Sequence, residues 1–531
     1  MIVQELRALS NLKSDFKERS GRQSQLFDSF SAIDLLLCKT GPGHNTVTAY
    51  DTAWVARLGR LLPAVAEQAQ RWLRVNQLSD GGWGMERPIY HHDRVLCTLS
   101  AVIALHKNND SQDSSRIALG IASLSHHLER LNDDLAGPTA GFELLLPALV
   151  EEALAAGLTL QIDESLLYEM RQARQHKLAL MPLSGISREV TMAFSAELAG
   201  VDGIDILDIE NLLEQNGSVA LSPSATAYYL LNINPDDQKA LNYIEDVAQS
   251  GAPNFAPFDV YEKAWVLWNL IQCGYGSYPE VEQRMTPILN SLFASWESGK
   301  GIGFSQSFSP RDADDSAVVF EVLSFFGYKL PLKDLLYYEE ADHFRCFDLE
   351  THPSTGANIH MLGALRCAGL SKFDEPVEKI LKFLRGSRID GCQWADKWHI
   401  SPYYITSHAI IALAHFDFEL GNDSVHWIIE SQQPDGSWGF QFSTAEETAY
   451  CLQALVKWRE KGYFVPLGTI QNGYRWLKQH LHDPIPPLWT AKCLYSPTLV
   501  VEAAILSTLL MVEEAGLEST ESAEERYLFL R

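Results

Sequence analysis

Residues 72–84 read Trp-Leu-Arg-Val-Asn-Gln-Leu-Ser-Asp-Gly-Gly-Trp-Gly, and residues 427–439 read Trp-Ile-Ile-Glu-Ser-Gln-Gln-Pro-Asp-Gly-Ser-Trp-Gly. The two stretches share a Trp, a following Gln, an Asp-Gly turn and a closing Trp-Gly at the same spacing. Weaker echoes occur at residues 212–218, 296–304 and 383–394. Repeats of this kind are typical of helical hairpins that stack on one another. We expect each Gln to bond the backbone at the start of the next helix, and each Trp to cover the turn.

Helical periodicity dominates the chain around these repeats. Apolar residues recur at three- and four-residue spacings in 95–106, 143–156, 316–326 and 405–416, and Gly, Pro, Asn and Asp turns separate the segments. Alternating strand patterns are nearly absent. The sequence therefore predicts an all-α fold, and its length of 531 residues indicates two large domains.

Composition restricts the class of partner. The formal charge of −26 excludes nucleic acid, because no basic stretch could neutralise phosphates, and it disfavours an anionic membrane surface. The eight Cys form no C-x-x-C pair, which indicates reduced thiols in a cytoplasm. No apolar run reaches the ~18 residues of a spanning helix, so we expect no stable membrane insertion. Since dimers are common among soluble enzymes, a homodimer is also expected.

Three carboxylates crowd into the stretch Asp312-Ala313-Asp314-Asp315. Ser309 and Pro310 just before it are typical of a helix N-cap and first helical residue, and acids suit a first turn. Crowded, buried carboxylates also repel one another, so at least one would hold its proton at neutral pH. A protonated acid in an apolar chamber can act on a substrate as inert as an alkene. Taken alone, the stretch is open to both interpretations.

Several further motifs occur in a fixed order along residues 45–510. They are Thr48-Ala49-Tyr50-Asp51-Thr52-Ala53-Trp54-Val55-Ala56, Gly141-Phe142-Glu143, Ser222-Pro223-Ser224-Ala225-Thr226-Ala227, Pro253-Asn254-Phe255 and Asp396-Lys397-Trp398. Together with the D-x-D-D stretch and the repeats, they resemble the class II diterpene cyclases, especially bacterial enzymes related to copalyl and halimadienyl diphosphate synthases. The resemblance implies two (α/α) barrel domains, with a γ domain (40–255) inserted into a β domain (first helix in 1–39, remainder in 256–531).

The resemblance also implies a reaction of the isomerase type. Asp314 would protonate the terminal alkene of geranylgeranyl diphosphate, with Asp312 and Asp315 orienting or sharing its proton. Ring closure would give a bicyclic labdane, halimane or clerodane diphosphate for a later diterpene synthase or phosphatase. Asn254 matches the Asn that pairs with an L-H-S histidine in plant ent-copalyl enzymes, but residues 194–197 hold no His. A rearranged skeleton is therefore expected.

Three further groups of site residues follow from the resemblance. Aromatic faces stabilise carbocations, and the candidates are Phe304, Trp265, Trp268, Tyr228, Tyr229, Trp398, Tyr403 and Tyr404. The basic residues expected at the diphosphate are Lys397, Lys177 and Arg188. Mg²⁺ is the expected cofactor, with an altered acidic stretch supplying Glu129, Asp133 and Asp134.

Other reactions fit the sequence less well. A class I terpene synthase needs D-D-x-x-D, which none of the Asp pairs at 133–134, 236–237 and 314–315 completes. A protein prenyltransferase needs an Asp/Cys/His zinc set, and the sequence shows no suitable Cys-His grouping. A glycosidase would use paired carboxylates but leaves the order of the motifs unexplained. A helical-repeat binding scaffold would not need three crowded acids. A drimane-forming cyclase acting on farnesyl diphosphate and a squalene–hopene-like triterpene cyclase stay open as alternatives.

Overall fold

The computed structural model describes residues 23–277 and 279–518. The part of the predicted β-domain segment 1–39 that precedes residue 23 lies outside the described residues. The regular secondary structure of the described chain is almost entirely helical, as predicted. Its α-helices are α1 (Gln23–Lys39), α2 (Ala49–Ala56), α3 (Pro63–Val75), α4 (His91–Asn108), α5 (Ser114–Leu128), α6 (Phe142–Ala155), α7 (Glu164–Ala179), α8 (Pro223–Asn232), α9 (Gln238–Val247), α10 (Asp259–Gln272), α11 (Pro279–Ser295), α12 (Ala313–Phe325), α13 (Leu332–Leu336), α14 (Thr355–Cys367), α15 (Glu375–Gly386), α16 (Pro402–Leu413), α17 (Phe418–Glu430), α18 (Ala445–Glu460), α19 (Leu467–Gln479) and α20 (Thr498–Ala515).

The strands within the described residues are all two residues long and form two antiparallel pairs. They are β1 (Val47–Thr48), β2 (Ala252–Pro253), β3 (Trp489–Thr490) and β4 (Leu494–Tyr495). In the first pair Val47 lies opposite Pro253, and in the second Trp489 lies opposite Tyr495. Because β1 precedes α2 and β2 follows α9, the two ends of the segment between them meet at one place.

Inner helices of the N-terminal half pack side by side in a closed ring, the first barrel. Helix α2 contacts α4, α4 contacts α6, and α6 and α8 both contact the 3₁₀ segment Thr191–Ala199, while α8 returns to α2. Helices α3, α5, α7 and α9 each cover a member of this ring from outside. The inner helices α2, α6 and α8 bury most of their circumference, and apolar residues therefore occur on several of their faces.

A second closed ring forms in the C-terminal half, the second barrel. Its inner members contact one another in the order α10, α12, α14, α16, α18 and α20, and α20 closes onto α10. Helix α1 packs on α20 from outside, although it lies at the opposite end of the chain. The all-α fold with two (α/α) barrels is thus confirmed, while the domain limits at 39/40 and 255/256 stay predictions.

The repeated Gln and Trp side chains make the same bonds in each barrel. Gln77 Nε2 donates to Gly81 O (2.7 Å) and to Arg116 O in the first turn of α5 (2.9 Å). Gln432 Nε2 donates to Gly436 O (2.8 Å) and to Thr469 O in the first turn of α19 (2.9 Å). The predicted bond from Gln to the start of the next helix is confirmed.

The tryptophans of the repeat are equally uniform. Trp83 Nε1 donates to Leu73 O (2.8 Å) and Trp438 Nε1 donates to Ile428 O (2.7 Å), each ten residues back along the chain. Trp394, from the weaker echo, makes the equivalent bond to Leu384 O (2.9 Å). All three indoles are fully buried. Their role is therefore to fix each turn against the preceding helix.

The interbarrel hairpin, residues 488–497, joins the two barrels. Leu494 N donates to Asp93 Oδ1 on α4 (2.9 Å), and Ala140 N donates to Ala491 O (2.8 Å). Asn254 Nδ2 donates to Cys493 O (3.2 Å). Among the helices of the described chain, none combines the length and apolar composition that crossing a membrane would require.

Candidate active site

The carboxylate stretch forms the beginning of α12. Asp312 is the N-cap residue, and its Oδ1 accepts a hydrogen bond from Asp315 N (2.7 Å). The predicted N-cap at Ser309 is wrong, because Asp312 satisfies the free N–H groups of the first turn. Ser309 instead donates from its backbone N and its Oγ to the two carboxylate oxygens of Glu214 (2.9 and 2.7 Å).

Burial raises the pKa of two of the three carboxyl groups. Burial, together with the nearby charge of Asp314, raises the pKa of Asp312 to about 7. Burial and the charge of Asp312 likewise raise the pKa of Asp315 well above its ordinary value. Asp312 Oδ2 and Asp315 Oδ1 are buried without a hydrogen-bond partner. The stretch therefore retains protons at a pH at which an exposed Asp would have lost them.

Asp314 is the most accessible of the three acids, with 17% of its side chain exposed. Its Oδ1 lies 2.5 Å from His360 Nδ1 on α14. The other nitrogen of that ring, Nε2, lies 2.8 Å from His408 Nδ1 on α16. Burial and the neighbouring His360 lower the pKa of His408 well below its ordinary value, so that this ring is neutral. Three adjacent helices of the second barrel thus contribute one continuous chain of hydrogen bonds.

Aromatic rings pack around the hydrogen-bonded residues Asp314, His360 and His408. Trp265 lies edge-on to His360 at a centroid distance of 4.7 Å, and Trp268 lies 4.7 Å from His408. Tyr404 lies 4.5 Å from His408 and 6.5 Å from Trp265. These predicted aromatics are therefore brought together beside Asp314. Their ring faces offer a cation a favourable electrostatic environment without a nucleophile.

An aromatic row runs from this cluster toward the first barrel. Its members are Trp265, Tyr261, Phe258, Phe255 and Phe194, with successive centroid distances of 5.3, 4.2, 4.5 and 6.0 Å. The predicted Phe304 lies beside the row, 5.5 Å from Phe255 and 5.8 Å from Phe258.

The remaining predicted aromatics lie elsewhere. Tyr228 packs edge-on against Trp54 and donates to Gly200 O (2.6 Å) in the first barrel. Trp398 lies against Phe347. Tyr403 stacks on Trp427 (4.8 Å), and Tyr229 bonds Asp237. These rings serve the packing of their own hairpins and are not part of the aromatic row.

A buried ion pair lies at the far end of the aromatic row. Lys492 Nζ is 4.5 Å from the Phe194 ring and donates to Glu197 Oε1 (2.6 Å), Ser222 Oγ (2.8 Å) and Ser224 Oγ (2.7 Å). Glu197 Oε2 is buried without a partner. Glu197 belongs to residues 194–197, the segment that holds no counterpart of the L-H-S histidine.

Asn254 also has an unpartnered atom. Its Nδ2 donates to the interbarrel hairpin, whereas its Oδ1 is fully buried and accepts no hydrogen bond. Buried amide oxygens are normally bonded. Asn254 is therefore placed between the barrels with one acceptor unused.

The three predicted basic residues do not converge. Lys177 pairs with Glu143 of the Gly-Phe-Glu motif, and Arg188 Nη1 donates to Leu213 O (3.1 Å), both within the first barrel. Lys397 pairs with Glu350 in the second barrel. Glu350 in turn accepts from Cys346 N, and Cys346 O accepts from the first residue of α12. Lys397 therefore supports the segment that holds the acid stretch.

The predicted magnesium ligands do not form one site. Asp134 is buried, and its two carboxylate oxygens accept hydrogen bonds from the backbone N–H groups of His91 and His92 at the start of α4 (3.0 and 2.9 Å). Glu129 and Asp133 are exposed. Among the described residues, the one group with three ligand atoms within 4.8 Å is Asp93, Cys97 and Cys493. Asp134 does not fit a magnesium ligand, because its oxygens already hold a helix terminus.

Sequence reasoning missed the residues that complete the site. Tyr261 and Phe258 were not predicted, although Tyr261 shares the three- and four-residue spacing of the predicted Trp265 and Trp268 and Phe258 immediately precedes α10. His360 and His408 carry no such signal, because each is a single His within an apolar helix. Lys492 and Glu197 lie far apart in sequence, and only the interbarrel hairpin brings them together.

Comparisons with known proteins agree with this fold. The family model for the squalene-hopene cyclase C-terminal domain matches residues 335–456. The chain is 42% identical over 495 residues to the type B diterpene cyclase of Mycobacterium tuberculosis, covering 91% of this chain and 99% of the relative. It is 31% identical over 499 residues to an ent-copalyl diphosphate synthase of Streptomyces, covering 88% and 92%. The ent-copalyl diphosphate synthase of Streptomyces platensis has a similar structure, with a TM-score of 0.74, 26% identity, and 92% and 99% coverage.

Proposed function

The chain belongs to the class II diterpene cyclases, and we propose that it converts geranylgeranyl diphosphate into a bicyclic diterpenyl diphosphate. Asp314 protonates the terminal alkene, and the resulting cation closes two rings while the diphosphate is retained. The enzyme is thus an intramolecular isomerase, because the proton gained at one end of the substrate is lost at the end of the reaction.

One observation carries this proposal: the carboxyl group of Asp314 is in hydrogen-bond contact with His360, and the His360 ring packs against Trp265 at the end of the aromatic row. A hydrogen bond from His360 to one carboxyl oxygen leaves the proton on the other oxygen free for the alkene. Asp312 and Asp315 on either side resist ionisation, which holds the negative charge around Asp314 low before the reaction. Aromatic faces then stabilise the cation, while the apolar surroundings exclude water.

The diphosphate would lie toward the first barrel, where Lys177 and Arg188 are the basic candidates. Mg²⁺ would accompany it as a counter-ion of the substrate, since Mg²⁺ typically takes one or two carboxylates plus phosphate oxygens. Glu129 and Asp133 are the carboxylates available for this, because Asp134 holds the start of α4. Titration of activity with MgCl₂ after EDTA treatment tests the requirement. Full activity in EDTA would refute it.

The product is proposed to have a rearranged, halimane- or clerodane-type skeleton. The His of the plant ent-copalyl enzymes is absent at 194–197, and the paired Glu197 and Lys492 stand there instead. The charge of Lys492 lowers the basicity of Glu197, so the cation can undergo hydride and methyl shifts before it loses a proton. Unrearranged copalyl diphosphate, identified by mass spectrometry and NMR after dephosphorylation, would contradict this.

The decisive experiment is a substrate comparison. Purified protein is incubated with Mg²⁺ and geranylgeranyl diphosphate, farnesyl diphosphate or squalene, and the products are dephosphorylated and analysed by gas chromatography with mass spectrometry. We expect bicyclic C₂₀ alcohols from geranylgeranyl diphosphate. A cyclised drimane alcohol from farnesyl diphosphate alone, or a cyclised triterpene from squalene, would overturn the proposal.

The surroundings of the enzyme follow from its product. A retained allylic diphosphate requires a later enzyme that ionises or hydrolyses it, so a diterpene synthase or a phosphatase would act next.

Every Cys of the described chain is a free thiol, which is compatible with a cytoplasmic location. Light scattering of the purified protein tests the expected homodimer.

A further inference from the structure

A small cavity lies beside the two histidines, away from the acid stretch. Its walls are formed by His360, His408, Trp268, Glu321, Arg366 and Phe416 among others, and Asp314 is not part of them. Glu321 lies seven residues beyond Asp314 on α12, about 10 Å along the helix axis. The cavity is thus separated from the reacting end of Asp314 by the His360–His408 pair.

The cavity is suited to hold water. It has about 20 Å³ of water-accessible volume, enough for one molecule. Glu321 accepts from Arg366 Nη2 (2.7 Å) and from Trp268 Nε1 (3.0 Å), so its wall is polar and charged. Gly363 keeps this wall open, because a Cβ there would lie 2.4 Å from Glu321 Oε2.

One nitrogen of the two histidines makes no hydrogen bond with the protein. His408 Nε2 is buried and makes no hydrogen bond, although His408 Nδ1 bonds His360. His408 itself lines the cavity. On the outer side, Arg366 Nη1 lies 2.8 Å from Nε2 of the exposed His415, so the polar path continues to the protein surface.

Catalysis creates a need for such a path. Each turnover leaves Asp314 as a carboxylate, and the next turnover requires it to be protonated again. In the proposed reaction the substrate covers the accessible side of Asp314, and its apolar surface excludes water from that side. The side of His360 stays uncovered and offers a route for the returning proton.

Building on the proposed function, we propose that His360 and His408 form a relay that returns a proton from water in this cavity to Asp314 after each turnover. A hydronium ion in the cavity gives a proton to His408 Nε2. His408 releases its Nδ1 proton to His360 Nε2, and His360 releases its Nδ1 proton to the Asp314 carboxylate. To reset the relay, each imidazole ring rotates so that Nδ1 reaches the cavity water, which delivers a proton there and takes one from Nε2. Rotation of the carboxyl group frees the new Asp314 proton for the alkene. One solvent proton is taken up, and one is released when the final cation is deprotonated.

His408 is on this view a residue of proton supply rather than of the cyclisation step. The variant His408→Phe fills the same space and cannot transfer a proton. Rapid-quench kinetics with radiolabelled geranylgeranyl diphosphate separate the first turnover, which uses the proton already on Asp314, from later turnovers. We expect the first-turnover rate to stay within about threefold of wild type and the steady-state rate to fall about a hundredfold, the scale of a lost proton-transfer group.

Controls keep the test decisive. The exposed His426, changed to Phe, is a matched control for the loss of a histidine and should leave both rates unchanged. If His408→Phe does not fold, His408→Asn keeps a hydrogen-bond donor toward His360, and added imidazole should then restore its steady-state rate.

Equal slowing of the first and later turnovers would overturn the relay and make His408 a positioning residue. Unchanged steady-state turnover would overturn it as well. Neither outcome touches the proposed function, which fails only if the wild-type enzyme does not cyclise geranylgeranyl diphosphate.

Discussion

Asp312 Oδ1 accepts a hydrogen bond from the backbone N–H of Asp315 at 2.7 Å, so one carboxyl group both caps helix α12 and borders Asp314, the proposed proton donor. The two interpretations of the acid stretch are therefore compatible. An N-cap holds its side chain in one orientation, which keeps the acids in fixed positions relative to one another. Its second oxygen, Oδ2, is buried without a partner.

Asp312→Asn should separate the helix cap from the carboxyl proton that Asp312 can share with Asp314. Asn caps a helix as well as Asp does, so the melting temperature should stay close to that of wild type, while turnover should fall about a hundredfold. Asp312→Ala should lose turnover equally and also about 1 kcal/mol of stability through loss of the cap. Steady-state kinetics and thermal unfolding of both variants measure this. Full activity of Asp312→Asn would exclude Asp312 from tuning the acid.

Turnover should fall as the pH rises above about 7, because the pKa of Asp312 is raised from 3.8 to about 7 by burial. Between these values the folded protein holds a proton that the unfolded chain has lost. The contribution of this carboxyl to stability is thus present at low pH and lost as the pH rises through that window.

The pH experiment compares kcat of wild type and Asp312→Asn from pH 5 to 9. Above pH 7 the wild-type rate should decline by about tenfold per pH unit, and the variant should lose or displace this decline. Asp51 and Glu447 have raised pKa values near 6 and 7 and also affect stability. The comparison with the variant therefore isolates Asp312. An identical decline in both proteins would assign it to another group.

Asp314→Asn should abolish cyclisation without unfolding the protein. The amide has no acidic proton, so we expect a loss of at least about a thousandfold, while the half-buried position tolerates an isosteric change. Gas chromatography of dephosphorylated products and circular dichroism provide the two readouts. A variant with full turnover would refute the assignment of the proton donor.

Breaking the Lys492–Glu197 pair should destabilise the contact between the barrels. Removing one partner leaves a buried charge, which costs about 3–5 kcal/mol, so Lys492→Met should lower the melting temperature clearly. The double variant Lys492→Met with Glu197→Gln should recover part of this loss, because no isolated charge remains. Equal melting temperatures of the single and double variants would show that the two side chains are not coupled.

Gln432→Ala should destabilise the second barrel without altering the product. The change leaves the carbonyls of Gly436 and Thr469 without their donor, at a cost of about 1–3 kcal/mol. The neighbouring exposed Gln433, changed to Ala, is the matched control. Thermal unfolding and product profiles are compared for both. A changed product from Gln432→Ala would give the repeat a role in catalysis.

The architecture could be predicted from sequence because it rests on local patterns. The Gln and Trp of each repeat bond atoms within the same hairpin or the next one, so their spacing already implies the contact. Helical periodicity likewise reports the burial of each inner helix. The acids at 312–315 are adjacent in sequence, and their mutual repulsion follows from that alone.

The rest of the site depends on which helices become neighbours when the barrel closes. His360 meets Asp314 only because α14 packs on α12, and His408 joins them because α16 is next in the ring. Asp134 shows a second limit of the sequence, because one residue type can serve two different purposes. An acidic residue upstream of a motif can bind a metal or hold a helix terminus with the same oxygens, and sequence does not distinguish these uses.

The aromatic row has a consequence for engineering. Its rings lie at successive distances from the acid, from Trp265 beside His360 to Phe194 beside Lys492. A positive charge that migrates along the substrate would pass these rings in order, so each ring corresponds to one position of the charge. Replacing them one at a time with leucine should move the point at which the charge is quenched, and the position of the double bond in each product would then report how far the charge had travelled.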